Sequence, residues 1–69
     1  MEYGIVEKIA LSEAISRLDP KERAVISLRY RRSFTQQKTA ELLGISQVQV
    51  SRIESRTLAR LKQIMEEIQ

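Results

Sequence analysis

The sequence predicts an all-α domain of four helices. Three observations carry the prediction. Apolar residues recur at steps of three and four along the chain, which is helical rather than strand periodicity. Helix-starting signals stand in front of three of these stretches. Only one Pro and two Gly occur in 69 residues, so few positions break a helix. The predicted helices cover about 5–17, 20–31, 35–43 and 46–67.

The first helix rests on Leu11, Ala14, Ile15 and Leu18, which form an apolar stripe. Residues 1–4 read as a flexible tail, and residues 5–69 as a single domain. The second helix starts at Asp19-Pro20-Lys21-Glu22. Asp accepts free backbone N–H groups, Pro lacks the N–H that would be orphaned, and Glu reaches back to the cap. Ala24, Val25 and Leu28 point inward, and the helix ends near Arg31-Arg32.

A short link, Ser33-Phe34, leads to Thr35 as the cap of the third helix. Thr39, Ala40, Leu42 and Leu43 follow, and Gly44 ends it by taking the left-handed conformation. In the fourth helix Ser46 and Gln49 form a capping box, with Ile45 and Val50 as a hydrophobic staple. Val50, Ile53, Thr57, Leu61, Ile64 and Ile68 then trace one core face, while Val48, Arg52, Ser55, Arg56 and Ala59 face away.

Composition excludes most catalytic chemistry. There is no Cys and no His, so thiolate nucleophiles, disulfides and the usual general base are absent. Neither Gly lies in a phosphate-cradling loop. The chain is not expected to be an enzyme, and no cofactor or metal is implied. With no apolar run near the ~20 residues of a membrane span, a cytoplasmic protein without membrane contact is expected.

Charge is distributed unevenly. Residues 17–62 carry eleven Lys and Arg against four acids, a net +7, and the flanks carry −4. A basic middle fits a polyanion-binding body, although the same residues would also solvate ordinary helices.

The informative unit is Thr35 to Glu54, a short helix, a Gly turn and a helix with a polar outer face. That is helix-turn-helix spacing, with small Ala40 where the helices cross. The first turns of the fourth helix offer Gln47, Val48, Gln49, Ser51 and Arg52. Gln can pair with adenine, Arg with guanine, and a Val methyl can meet thymine. A solvated helix face would show similar residues; the preceding helix, the Gly turn and the basic balance favour base reading. Lys21, Arg29, Arg31, Arg32, Lys38, Arg56 and Arg60 are the candidates for phosphate contact. Glu54 is expected to orient its basic neighbours Arg52, Arg56 and Lys38. Tyr30 and Phe34 read as core or corner residues rather than stacking platforms.

Several segments together resemble region 4 of bacterial sigma factors of the sigma-70 family. They are Leu18-Asp19-Pro20-Lys21-Glu22-Arg23, Leu28-Arg29-Tyr30, Thr35-Gln36, Ala40, the run from Leu43 to Glu54, and Leu58-Ala59-Arg60-Leu61-Lys62. The resemblance covers about residues 7–65. The Gly-Ile-Ser-Gln-x-x-Val-Ser-Arg version is most similar to the alternative factors of the sporulation and general-stress branch.

The resemblance implies recognition of the minus-35 element in double-stranded promoter DNA. It also implies docking on the beta-subunit flap of the RNA polymerase core, with an anti-sigma factor as a possible further partner. Carried over by position, base reading falls on Gln47, Val48, Ser51 and Arg52, and phosphate binding on Lys21, Arg29, Lys38 and Arg56. Flap contacts would come from the early helices.

Housekeeping members have Arg-Glu at Gln47-Val48 and Arg-Gln at Ser51-Arg52, so a different promoter sequence is expected. Lys38 replaces an acid common in the family, which would add a phosphate contact. The family's minus-10 and melting region is not in this sequence, so a domain of a longer factor, bound to the nucleoid, is expected. The alternative is a free-standing helix-turn-helix regulator or response-regulator output domain. It would dimerise on a palindrome with half-sites about one DNA turn apart.

Overall fold

In the computed structural model, which describes residues 11–68, the second, third and fourth helices start where their capping chemistry puts them. Residues 11–16 are helical (α1). The tail at 1–4 and the predicted start of the first helix near Ile5 lie outside the described residues, and so does the Ile68 side chain. The second helix, α2, spans Pro20–Ile26. The third, α3, spans Gln36–Leu43, and the fourth, α4, spans Gln47–Ile68. The described residues are helices and links, without strands.

The caps form as their chemistry requires. Asp19 accepts the Glu22 N–H at 3.0 Å, and the Glu22 carboxylate accepts the Asp19 N–H at 3.2 Å. The Thr35 hydroxyl accepts the Lys38 N–H at 3.0 Å. Ser46 and Gln49 close the reciprocal box at the start of α4, at 2.9 and 3.1 Å. Each cap satisfies backbone donors that a helix start leaves unpaired.

One predicted helix is two different structures. The stretch expected to be continuous over 20–31 is α-helical only to Ile26, and Ser27–Arg31 form a wider π-helical turn. The Arg32 N–H reaches five residues back, to the Ser27 carbonyl, at 3.0 Å. The Phe34 N–H reaches the Leu28 carbonyl at 2.9 Å, and Ser33 between them has a φ of 59°. A left-handed Ser costs roughly 1 kcal/mol. The expanded turn is held by what its side chains gain on α4, described below.

Gly44 takes the left-handed conformation (φ 69°), and the Ile45 N–H bonds to the Ala40 carbonyl across it at 3.0 Å. A Cβ at this position would meet nothing within 4 Å, so the cost of a side chain here is backbone strain alone. Gly44→Val is expected to lower stability by about 1–2 kcal/mol, and Gly44→Asn by clearly less, since Asn tolerates the left-handed region. Thermal denaturation of the two variants checks this. Equal melting temperatures for Val and Gly would show that the turn does not depend on this conformation.

The core has two parts on one spine. Val25, Ala40, Val50 and Ile53 form the first, joining α2, α3 and the start of α4. Ala14, Leu18, Ile26, Leu61 and Ile64 form the second, joining α1, α2 and the later turns of α4. The predicted α4 face is buried from Val50 to Ile64, including Thr57. Its opposite face, with Val48, Arg52, Ser55, Arg56 and Ala59, is exposed. Leu11, expected on the apolar stripe of the first helix, is 42% exposed, and Leu42 on α3 is 53% exposed. Among the described residues no helix is long and apolar enough to cross a membrane.

Candidate nucleic-acid interface

The α3–turn–α4 unit presents the first turns of α4 to solvent because Ile45 and Val50 close the corner from within. Val50 is fully buried and Ile45 packs partly on the same core. Gln47, Val48 and Arg52 are exposed, Val48 to 59%, and Ser51 is half-buried at their edge. Four side chains named from the sequence therefore share one end of one helix. Gln49, the fifth sequence candidate, is exposed, but its side chain is bonded to the Ser46 backbone as a cap. Keeping that cap leaves it less available to a base edge than its neighbours.

The basic residues divide into two groups. Lys21, Arg31, Arg32, Lys38, Arg52, Arg56 and Arg60 are exposed. Lys38 stands 4.0 Å from Glu41 one turn on, an exposed pair worth little against solvent. Arg29 is different. Its Nε donates to Glu54 Oε1 at 2.9 Å and its Nη1 donates to the Phe34 carbonyl at 2.6 Å. Its guanidinium also lies over the Tyr30 ring, 5.5 Å from the centroid.

Glu54 is the centre of this group, and its partners correct the sequence expectation. Arg52, Arg56 and Lys38 do not bond it. Residues two apart on a helix point in different directions, which removes Arg52 and Arg56. The donors are Arg29, the Tyr30 hydroxyl at 2.5 Å and the Gln36 amide at 3.1 Å. Glu54 stands four residues after Val50 and one before Ser55, at the border between the core face and the exposed face. A carboxylate there is 8% exposed and requires donors from another element. That border position was visible in the sequence. Which element answered it was not.

The electrostatics agree with the geometry. Burial pushes the Glu54 carboxyl up, and the bonds from Arg29, Tyr30 and Gln36 outweigh it, leaving a net shift below the ordinary carboxylate value. The bond to Glu54 raises the Tyr30 phenol above its ordinary value, with burial adding to it. The Glu54 bond likewise holds Arg29 in its charged form. Tyr30 and Phe34 sit at this corner, as expected. The Tyr30 ring is half exposed and only its hydroxyl is committed inward.

Beside this corner lies an apolar groove of about 640 Å³ between α1, α2 and α4. Leu11, Ile15, Ile26, Tyr30, Leu58 and Leu61 line it, together with Ser27, Arg23 and Arg31. No acid stands among these described lining residues.

Comparison with known proteins bears on the same segments. The family model described as Sigma-70, region 4 matches residues 14–63. The chain is 54% identical over 56 residues to the RNA polymerase sigma-F factor of Bacillus subtilis (strain 168), covering 81% of this chain and 22% of that protein. It is 40% identical over 56 residues to the RNA polymerase sigma-G factor of the same organism, with the same coverage. The RNA polymerase sigma-E factor of Clostridium acetobutylicum is 40% identical over 63 residues, covering 86% of this chain and 27% of the relative. The chain thus spans about a quarter of the length of these relatives. These names agree with the alternative branch that the sequence resembled. The matched residues include all three caps, the Gly44 turn and the whole exposed end of α4, so this chain belongs to the sigma-70 region 4 family.

Proposed function

We propose that residues 5–69 act as the promoter-reading and polymerase-docking domain of an alternative sigma factor of the sporulation and general-stress branch. The observation that carries the DNA part is the exposed end of α4. Gln47, Val48 and Arg52 stand out from a helix whose opposite face is core, with half-buried Ser51 at their edge. A helix presented in this way fits the major groove, where Gln, Arg and Val methyl groups can distinguish base pairs. The minus-35 element is the double-stranded promoter DNA that these four residues read. Lys21, Lys38 and Arg56, all exposed, set affinity through phosphates, and Arg29 contributes from its fixed position at the corner.

The polymerase part rests on the apolar groove. It is formed by the early helices against α4, and the charged residues among its described lining are arginines. An amphipathic segment of the beta-subunit flap with acidic flanks fits this chemistry. An anti-sigma factor that inserts a similar segment would compete with it. The protein works in the bacterial cytoplasm on nucleoid DNA, and this domain needs no catalytic group.

Calorimetric or NMR titration of the isolated beta flap into the chain tests the docking. Saturable binding with shifts at Leu11, Ile15 and Leu58 is expected. No binding at high concentration would favour the free-standing regulator. Arg52→Ala is expected to cost about 1–3 kcal/mol on the cognate minus-35 duplex and to relax preference at the contacted base pair. Equal losses on cognate and scrambled duplexes would remove Arg52 from the base-reading set.

A further inference from the structure

We propose that Glu54 is a positioning residue for DNA binding, which fixes the Arg29 guanidinium so that its remaining amino group, Nη2, faces a backbone phosphate. The proposal rests on the DNA-binding reading above and assigns a role to the buried acid on α4.

The guanidinium has three nitrogens, and two are already fixed. Nε is held by Glu54 on α4, and Nη1 by the Phe34 carbonyl in the link before α3. Among the described residues Nη2 has no hydrogen-bond partner, and the Arg29 side chain keeps 24% of its surface exposed. The Tyr30 ring lies alongside the guanidinium. An Arg held in this way has little rotamer freedom left to lose on binding, whereas an exposed Lys or Arg loses all of its own.

The place of the group is equally specific. Glu54 follows Ser51 by three residues and Gln47 by seven, so these residues share one edge of α4. Arg29 therefore sits beside the base-reading end of the helix. A phosphate bound there would fix the register of that end on the duplex. The carboxylate of Glu54 is itself covered, at 8% exposure, and it accepts from Arg29, Tyr30 and Gln36. Its charge is spent on donors within the protein rather than presented to the DNA.

The test exploits a conflict of signs. Glu54→Gln removes one negative charge from a DNA-binding protein, so simple electrostatics predicts tighter binding and a slope that does not fall. The positioning role predicts the opposite, because Gln holds Nε without its charge and the guanidinium loosens. We expect the full chain carrying Glu54→Gln to bind a mixed-sequence DNA duplex roughly five- to tenfold more weakly. The plot of log affinity against log salt should become shallower by about one unit. Glu13→Gln, with the same charge change at the exposed Glu13–Arg17 pair, is the control and should not weaken binding.

Arg29→Lys keeps the charge but lacks the fork, and is expected to lose as much affinity as Arg29→Ala. It decides the question if circular dichroism shows that Glu54→Gln does not fold. Unchanged or tighter binding by folded Glu54→Gln, or near-normal binding by Arg29→Lys, overturns the positioning role and leaves the DNA reading intact. A wild-type chain that binds no duplex even at low salt overturns the DNA reading, and this role with it.

Discussion

The Leu61→Ala chain is expected to be only marginally folded at room temperature. Leu61 is 7% exposed and belongs to the cluster that joins α1, α2 and the later turns of α4. Truncating a buried Leu removes its transfer free energy and leaves a cavity, for a loss of about 2–5 kcal/mol. A single core in a domain of this size rarely supplies more than about 3–5 kcal/mol in total. The loss should be concentrated in the contact of α1 with α4, because the Val25–Ala40–Val50–Ile53 cluster contains no atom of Leu61. Urea denaturation measures the total. Hydrogen exchange should show protection falling most over 14–18 and 60–64, with α3 and the start of α4 less affected. Uniform loss of protection would mean that the two clusters unfold as one unit. Leu61 also lines the apolar groove, so the flap docking proposed for that groove should weaken in the same variant.

Glu54→Ala is expected to have the second-largest effect, about 2–3 kcal/mol of destabilisation. Three donors from two other elements lose their acceptor at once. The loss stays at the lower end because Tyr30 and part of Arg29 can turn to water. The π-helical turn at Ser27–Arg31 should relax, since its strain at Ser33 is offset by these bonds.

The same carboxylate sets a pH dependence. Its pKa in the folded chain lies below the ordinary value, so the folded state favours the ionised form. This contribution is complete above the unfolded value of about 4.3 and is lost as pH falls through the folded value. Wild-type stability should therefore decline in acid, and the decline should be less steep in Glu54→Ala. Parallel curves for the two chains would show that other carboxylates carry the acid sensitivity.

The legible part of this protein is its local part. Asp19, Thr35 and Ser46 each cap the helix that follows, because a cap needs only a side-chain acceptor within three residues of a free N–H. Gly44 ends α3 for an equally local reason, a backbone angle that other residues avoid. The core face of α4 was readable because a 3.6-residue period projects Val50, Ile53, Thr57, Leu61 and Ile64 to one side. The exposed end of α4 follows as its complement. Family membership came from the same local segments.

What required the folded chain was long in range. The Arg29–Glu54 pair spans 25 residues and the Tyr30–Glu54 bond 24, distances over which helical periodicity carries no information. Nearness in sequence pointed Glu54 at Arg52 and Arg56, whereas packing of α2 on α4 brought Arg29 and Tyr30. The π-helical turn and left-handed Ser33 have the same origin, since nothing in the run Ser27–Ser33 asks for a wider helix until Glu54 rewards it. Backbone hydrogen bonds and caps are satisfied by residues nearby in the chain. A buried charge must be satisfied by whatever the tertiary fold brings to it, and here that partner is the arginine placed beside the exposed end of α4.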